Sequence, residues 1–253
     1  MKLKRKASAE IIPDFYLLER RNDIVILRLG KNFLFETINH ALKHPLMDVF
    51  DSIFENDDIG VLMITNCPEK TGCDDYINFC RHVITTEYDG MTIHRMCNVV
   101  GQLILKIFDL NKIVIYVDCG EIISLFLNIS LACDYRIIAA HTIFQKPYFK
   151  LGLLPIGGGP FFLGNMLGYN KARLLLMSEE NISATEAFEL GIVDQVVPHN
   201  LLEETAIHKA AQLAKMPASS LNGIKRLINY SRKDLKDYLN FESQEIFKTI
   251  KAL

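Results

Sequence analysis

The stretch LACDYRIIAAHTIFQKPYFKLGLLPIGGG, residues 131–159, is the part of the chain around which the rest can be ordered. A helix-like apolar run stops at Cys133-Asp134, and a short β-rich segment follows. Lys150-Leu151-Gly152 then leads through Pro155 into three consecutive glycines, 157–159. Glycines followed by Pro160 do not make the GxxxxGK[ST] pattern of a phosphate-binding loop, so they predict a tight turn into a helix.

Upstream, strand and helix signals alternate. Residues 15–18 and 24–29 are apolar, β-branched runs separated by Arg20-Arg21-Asn22-Asp23, which predicts a hairpin. Apolar residues recur at helical spacing through 38–54, at Leu42, Leu46, Val49, Phe50 and Ile53. Asn56-Asp57-Asp58 closes that helix, residues 59–65 predict a buried strand, and 66–75 a polar loop. A second helix is expected over 91–108, a strand over 113–117 and a third helix over 122–132. This alternation suggests βαβ crossovers and an α/β fold. Beyond Gly191 the pattern turns helical, over 201–213, 219–228 and 235–250, with Pro198 and Pro217 as punctuation.

The 253 residues suit one large domain, or one domain with an appendage, and 49% hydrophobic content allows a substantial core. A formal net charge of −2 disfavours a nucleic-acid surface, which needs concentrated Lys and Arg. The basic start, Lys2 to Lys6, reads as a solvated tail. Six cysteines (67, 73, 80, 97, 119 and 133) show no CxxC spacing. Reduced thiols in a cytoplasmic protein, with no metal site, are therefore expected. No apolar run approaches the roughly 18–20 residues that span a bilayer, and the N-terminus carries no secretory h-region, so no membrane partner is expected.

Three collinear blocks carry a resemblance. Met63-Ile64-Thr65 precedes a loop with Thr71-Gly72-Cys73-Asp74; the strand at 113–117 runs through Gly120 and a helix to Cys133-Asp134; Lys150-Leu151-Gly152 reaches Gly159 and continues to Leu163, Gly168 and Ala172. Ile182-Ser183-Ala184, Ala187, Gly191-Ile192-Val193 and Val196-Val197-Pro198 follow in order. Together these resemble the crotonase (enoyl-CoA hydratase/isomerase) superfamily over residues 14 to 245. The resemblance implies a ClpP/crotonase-like spiral of ββα turns. Residues 1–198 would form the core with a thioester pocket, and 199–253 a helical region for trimer or dimer-of-trimers assembly.

The resemblance also implies a chemistry: two backbone N–H groups that stabilise the enolate of an acyl thioester, carried by coenzyme A or an acyl-carrier protein. The donors map to Cys73 and Leu125. Thr71, Gly72, Asp74, Asp75, Tyr76, Gly120 and Glu121 flank them as substrate-binding candidates. No cofactor is implied beyond coenzyme A as part of the substrate. Two departures are informative. Ser124-Leu125-Phe126 stands where relatives carry consecutive glycines, and the two glutamate positions of hydratases hold Asn128 and Tyr148. Asn128 cannot act as a base, and Tyr148 can donate a proton but is a poor base, its phenol having an ordinary pKa near ~10. Ordinary water addition is therefore not expected. Enolate stabilisation, thioester decarboxylation and non-catalytic thioester binding remain as the alternatives. His82 and His94 are further titratable candidates.

Overall fold

A computed structural model describes residues 10–12, 15–34, 40–67, 70–85 and 90–252. The basic segment Lys2 to Lys6 lies outside them. The main sheet holds, in spatial order, β1 (Glu10–Ile12), β2 (Tyr16–Arg21), β3 (Ile24–Leu29), β4 (Val61–Asn66), β5 (Ile113–Asp118), β7 (Tyr135–Ala139) and β10 (Gln195–Val197). The first three strands pair antiparallel, and from β3 onward every pair is parallel. A smaller sheet joins β6 (Glu121–Ile123), β8 (Ile143–Gln145) and β9 (Ile182–Ser183).

The parallel strands read as continuous apolar runs because both of their faces are covered. One face, with Val25, Leu27, Leu62, Ile64, Val114 and Tyr116, packs into the larger core. The alternate residues Ile24, Ile26, Val61, Met63, Ile113 and Ile115 form a second layer. The helix α8 (Leu202–Ala214) covers that layer with Leu202, Ala206 and Ala210, four residues apart on one stripe. In the β2–β3 hairpin only Asn22-Asp23 form the turn; Arg20 and Arg21 belong to the strand. Asn22 takes φ 57°, a left-handed conformation that asparagine tolerates better than most residues.

The larger core is closed by α1 (His40–Glu55), α2 (Cys73–Thr85), α3 (Gly90–Asp109), α4 (Ser124–Leu131) and α5 (Gly159–Leu167). The connections α6 (Tyr169–Met177) and α7 (Ala184–Glu189) precede α8, and α9 (Ala218–Tyr230) and α10 (Leu235–Lys251) complete the helical end. Helix α10 lies along α3.

Two further expectations change. The polar loop expected over 66–75 gives way to α2 at Cys73, where Asp74 and Asp75 occupy the first turn and favour the positive end of the helix dipole. The helix expected from residue 122 begins at Ser124, because Ile122 and Ile123 extend to pair with Phe144 and Gln145. Asp134 explains why the first helix-like run ends where it does. Its carboxylate accepts from the Val114 N–H (2.8 Å) and from the buried Lys225 ammonium (2.7 Å), tying α9 to the sheet.

Candidate active site

The first candidate donor sits at the start of α2, beyond the end of β4. Lys70 is held by Asp118 at 2.6 Å and by the Cys119 carbonyl at 2.5 Å. The buried Thr71 hydroxyl donates to the Lys31 carbonyl at 2.8 Å. Asp75 accepts the Gly72 N–H at 3.2 Å, a carboxylate reaching back to cap its own helix. Cys73 is the first helical residue, and N–H groups in the first turn have no acceptor within their helix. Burial raises its thiol above the ordinary range, against the lowering effect of the Lys150 ammonium. Asp74 and Asp75 are exposed, whereas Tyr76 is buried, hydrogen-bonded to the Cys80 thiol and pushed well above its ordinary pKa by burial.

The second candidate donor follows β5. At that strand's end Asp118 gathers Asn66 (2.5 Å), the Tyr116 hydroxyl (2.8 Å) and Lys70, so a buried carboxylate is fully paired. Gly120 turns the chain at φ 72°, in the left-handed region that glycine adopts without strain. The exposed Glu121 opens β6, close enough to bias the Cys73 thiol, and α2 packs against β6. Directly after β6, α4 begins with no side-chain cap although all its residues are buried. Leu125 lies in that first turn, so its N–H also lacks an intrahelical acceptor. The two side chains that stand in for glycine each have a place. Phe126 reaches Phe33, 6.1 Å between ring centroids, beside the Phe15–Phe33 stack, and Leu125 leans toward Gly157.

Asn128 and Tyr148, expected at the glutamate positions, are both built into the fold. Asn128 donates from Nδ2 to the Ile156 carbonyl at 2.8 Å, and its Oδ1 sits 2.5 Å from where a Cβ on Gly159 would be. The third glycine is thus demanded by the close crossing of α4 and α5. Gly157 and Gly158 adopt φ 99° and 76°. Tyr148 donates its hydroxyl to the Leu176 carbonyl at 3.2 Å, and burial pushes its phenol up to about 12. The expected proton-returning phenol is therefore engaged with the main chain and poorly suited to ionise.

One carboxylate in this region went unrecognised in the sequence. Glu242 of α10 is buried and receives the N–H groups of Gly157 at 2.7 Å and Gly158 at 2.9 Å. Burial raises its pKa to about 7, against the lowering effect of those two bonds. The signal was present: Leu235, Leu239, Glu242 and Ile246 share one buried helical stripe, and a carboxylate there needs a partner. His94, by contrast, is exposed, with Nδ1 3.3 Å from the Ser243 hydroxyl and its ring against Phe247. His82 lies in the last turn of α2 and is exposed. Cys73 thus lies near Lys150 and Glu121, with α2 packed on β6 and α4 following it, while Asn128 and Tyr148 bond the Ile156 and Leu176 carbonyls, Leu125 joins Asn128 at Gly157, and Tyr148 also lies near Tyr76.

The family model for enoyl-CoA hydratase/isomerase matches residues 19–252. Crotonyl-CoA hydratase of Syntrophomonas wolfei is 29% identical over 196 residues, 74% of this chain and 71% of that protein. Trans-2-decenoyl-[acyl-carrier-protein] isomerase of Streptococcus mutans is 24% identical over 208 residues, 82% and 78% of the two chains. The crystal structure of enoyl-CoA hydratase from Bacillus halodurans superposes with a TM-score of 0.79 at 19% identity, covering 94% of this chain and 95% of that one.

Proposed function

Because this chain belongs to the enoyl-CoA hydratase/isomerase family, we propose that it binds an acyl thioester and polarises its carbonyl with the Cys73 and Leu125 N–H groups. The observation that supports this reading most is the pair of helix starts beside β6: α4 begins without a side-chain cap and fully buried, and α2 begins at Cys73. First-turn amides lack an intrahelical acceptor, the Leu125 one in a fully buried helix start, and a thioester oxygen gaining negative charge is an acceptor. Backbone donors are indifferent to side-chain identity, so leucine and cysteine at these positions keep the function available.

Ordinary hydration is not the proposed reaction. Water addition needs a carboxylate to activate water and an acid to protonate the α-carbon. Asn128 cannot act as that base, and both it and Tyr148 are hydrogen-bonded to main-chain carbonyls. Decarboxylation of a malonyl-type thioester is the second reading, favoured by this same engagement. Loss of carbon dioxide leaves its electron pair as the enolate without a base, and only stabilisation and a proton from solvent are then required. Relatives named for coenzyme A and for acyl-carrier-protein substrates leave both carriers open.

Assembly through α6 and the helical end is proposed with it. Tyr169, Leu174 and Met177 on α6, and Leu227 and Tyr230 on α9, are exposed large apolar residues, which suits a trimer or dimer of trimers. Sedimentation of the full chain tests this.

Function is tested by titrating crotonyl-, acetyl- and malonyl-CoA, free and on carrier protein, into the protein and following binding and turnover separately. Binding is expected with no loss of the enoyl chromophore. Rapid hydration would overturn the reading, as would failure of every thioester to bind. Binding without any turnover assigns the chain a non-catalytic thioester-binding role.

A further inference from the structure

Cys119, His141 and His199 are far apart in the chain, yet their ligating atoms all lie within 4.8 Å of one another. Topology explains why. Cys119 follows the end of β5, His141 comes two residues after β7, and His199 two residues after β10. These three strands are parallel neighbours, β5 beside β7 beside β10, so their C-terminal ends emerge on one edge.

The three loops are also tied to one another. The Ile143 N–H donates to the Gly120 carbonyl at 3.0 Å, linking the His141 turn to the Cys119 segment. The Ala140 N–H donates to the Val197 carbonyl at 2.8 Å, linking the same turn to the approach of His199. Asp118 accepts the Cys119 N–H at 2.8 Å, while Lys70 holds the Cys119 carbonyl at 2.5 Å. The His141 and His199 rings already meet edge to face, 5.1 Å between centroids. Cys119 is half-buried and both histidines are exposed, which leaves one side open to solvent.

We propose that this cluster is a three-ligand site for a zinc-class transition-metal ion. A thiolate and two imidazoles are the donors such an ion prefers, and three protein ligands leave a fourth position for water or another donor. Tetrahedral bonds of about 2.3 Å to sulfur and 2.0–2.1 Å to nitrogen place the ligand atoms about 3.4–3.6 Å apart. The side chains therefore close by about an ångström, a rotation that exposed imidazoles make freely. On binding, the Cys119 thiol proton passes to solvent and the sulfur donates its electron pair to the metal. The ion joins the ends of three strands of the main sheet, beside the Gly120–Glu121 segment that leads to α4.

Cobalt(II) reports the ligand set directly, because a thiolate–cobalt bond gives a charge-transfer band that imidazole alone does not. Titrating the full chain with cobalt(II) is expected to give that band at one ion per chain, displaced by zinc(II). The band is expected to vanish in Cys119→Ser and to persist in Cys67→Ser and Cys73→Ser, the other partly exposed thiols. His141→Ala and His199→Ala should each weaken binding at least about tenfold, and zinc should raise the melting temperature of the parent but not of Cys119→Ser. No charge-transfer band, or one that survives Cys119→Ser, overturns the assignment. Circular dichroism of each variant before titration confirms that a lost band is not a lost fold.

Discussion

Glu242→Gln isolates a buried carboxylate that links the C-terminal helix to the glycine turn. In the folded chain this group has a pKa of about 7 against an ordinary 4.5, and burial is the dominant cause. The folded state consequently holds its proton more tightly than the unfolded state. Between about pH 4.5 and 7 the native chain binds more protons than the unfolded one, so stability falls as pH rises and levels off above 7. At about 1.4 kcal/mol per tenfold change in proton affinity, the gap corresponds to about 3 kcal/mol. Glutamine keeps an acceptor for one of the two glycine N–H groups and cannot ionise. The assay is urea denaturation of the parent and Glu242→Gln at intervals from pH 4.5 to 8. Parent stability minus variant stability is expected to decline by about 3 kcal/mol across that window, because every other titrating group cancels. A flat difference would show that the two amide bonds cancel burial, and one that rises with pH that they outweigh it; either result overturns the expected sign.

Other expected outcomes concern the same architecture. Tyr148→Phe removes the bond to the Leu176 carbonyl and should cost about 1 kcal/mol of stability while leaving thioester affinity unchanged; a collapse in turnover with unaltered stability would instead make the phenol a proton donor. Gly159→Ala forces a methyl onto the Asn128 amide and should destabilise by about 1–3 kcal/mol, partly recovered in the double variant with Asn128→Ala. Purely additive effects in that cycle would mean the two residues do not collide. Lys225→Met strips the buried partner from Asp134 and should cost about 3 kcal/mol by chemical denaturation, as for other ion pairs broken from one side; a loss below about 1 kcal/mol would show that solvent substitutes for the ammonium.

Much of the scaffold was readable in the amino-acid order, and for a physical reason. The strands at 61–66 and 113–118 are buried on both faces, so they stand out as unbroken apolar runs. The long helices carry periodic stripes, and the C-terminal three came within a residue or two of their predicted ends. What failed were short elements whose state is decided by distant partners. Ile122 and Ile123 extend only because Phe144 and Gln145 lie beside them, and α2 hides in a polar stretch because its start is acidic and exposed. The site divided in the same way. Motif order picked out Cys73 and Leu125, and the structure places each of them in the first turn of a helix. Glu242 is marked only by the apolar helical stripe it interrupts, its partners lying in a distant glycine turn, and the Cys119–His141–His199 cluster depends on residues brought together across the sheet, which no local spacing announces.

Whether the Cys73 and Leu125 amides receive a thioester oxygen, as proposed, is read from the carbon-13 resonance of a carbonyl-labelled acyl-CoA bound to the protein. Cys73→Pro supplies the control, because proline is tolerated at the first position of a helix and removes only that N–H. A downfield shift of the bound carbonyl is expected in the parent and in Cys73→Ser, largely lost in Cys73→Pro. A bound carbonyl at its free position, or an equal shift in Cys73→Pro, would contradict it.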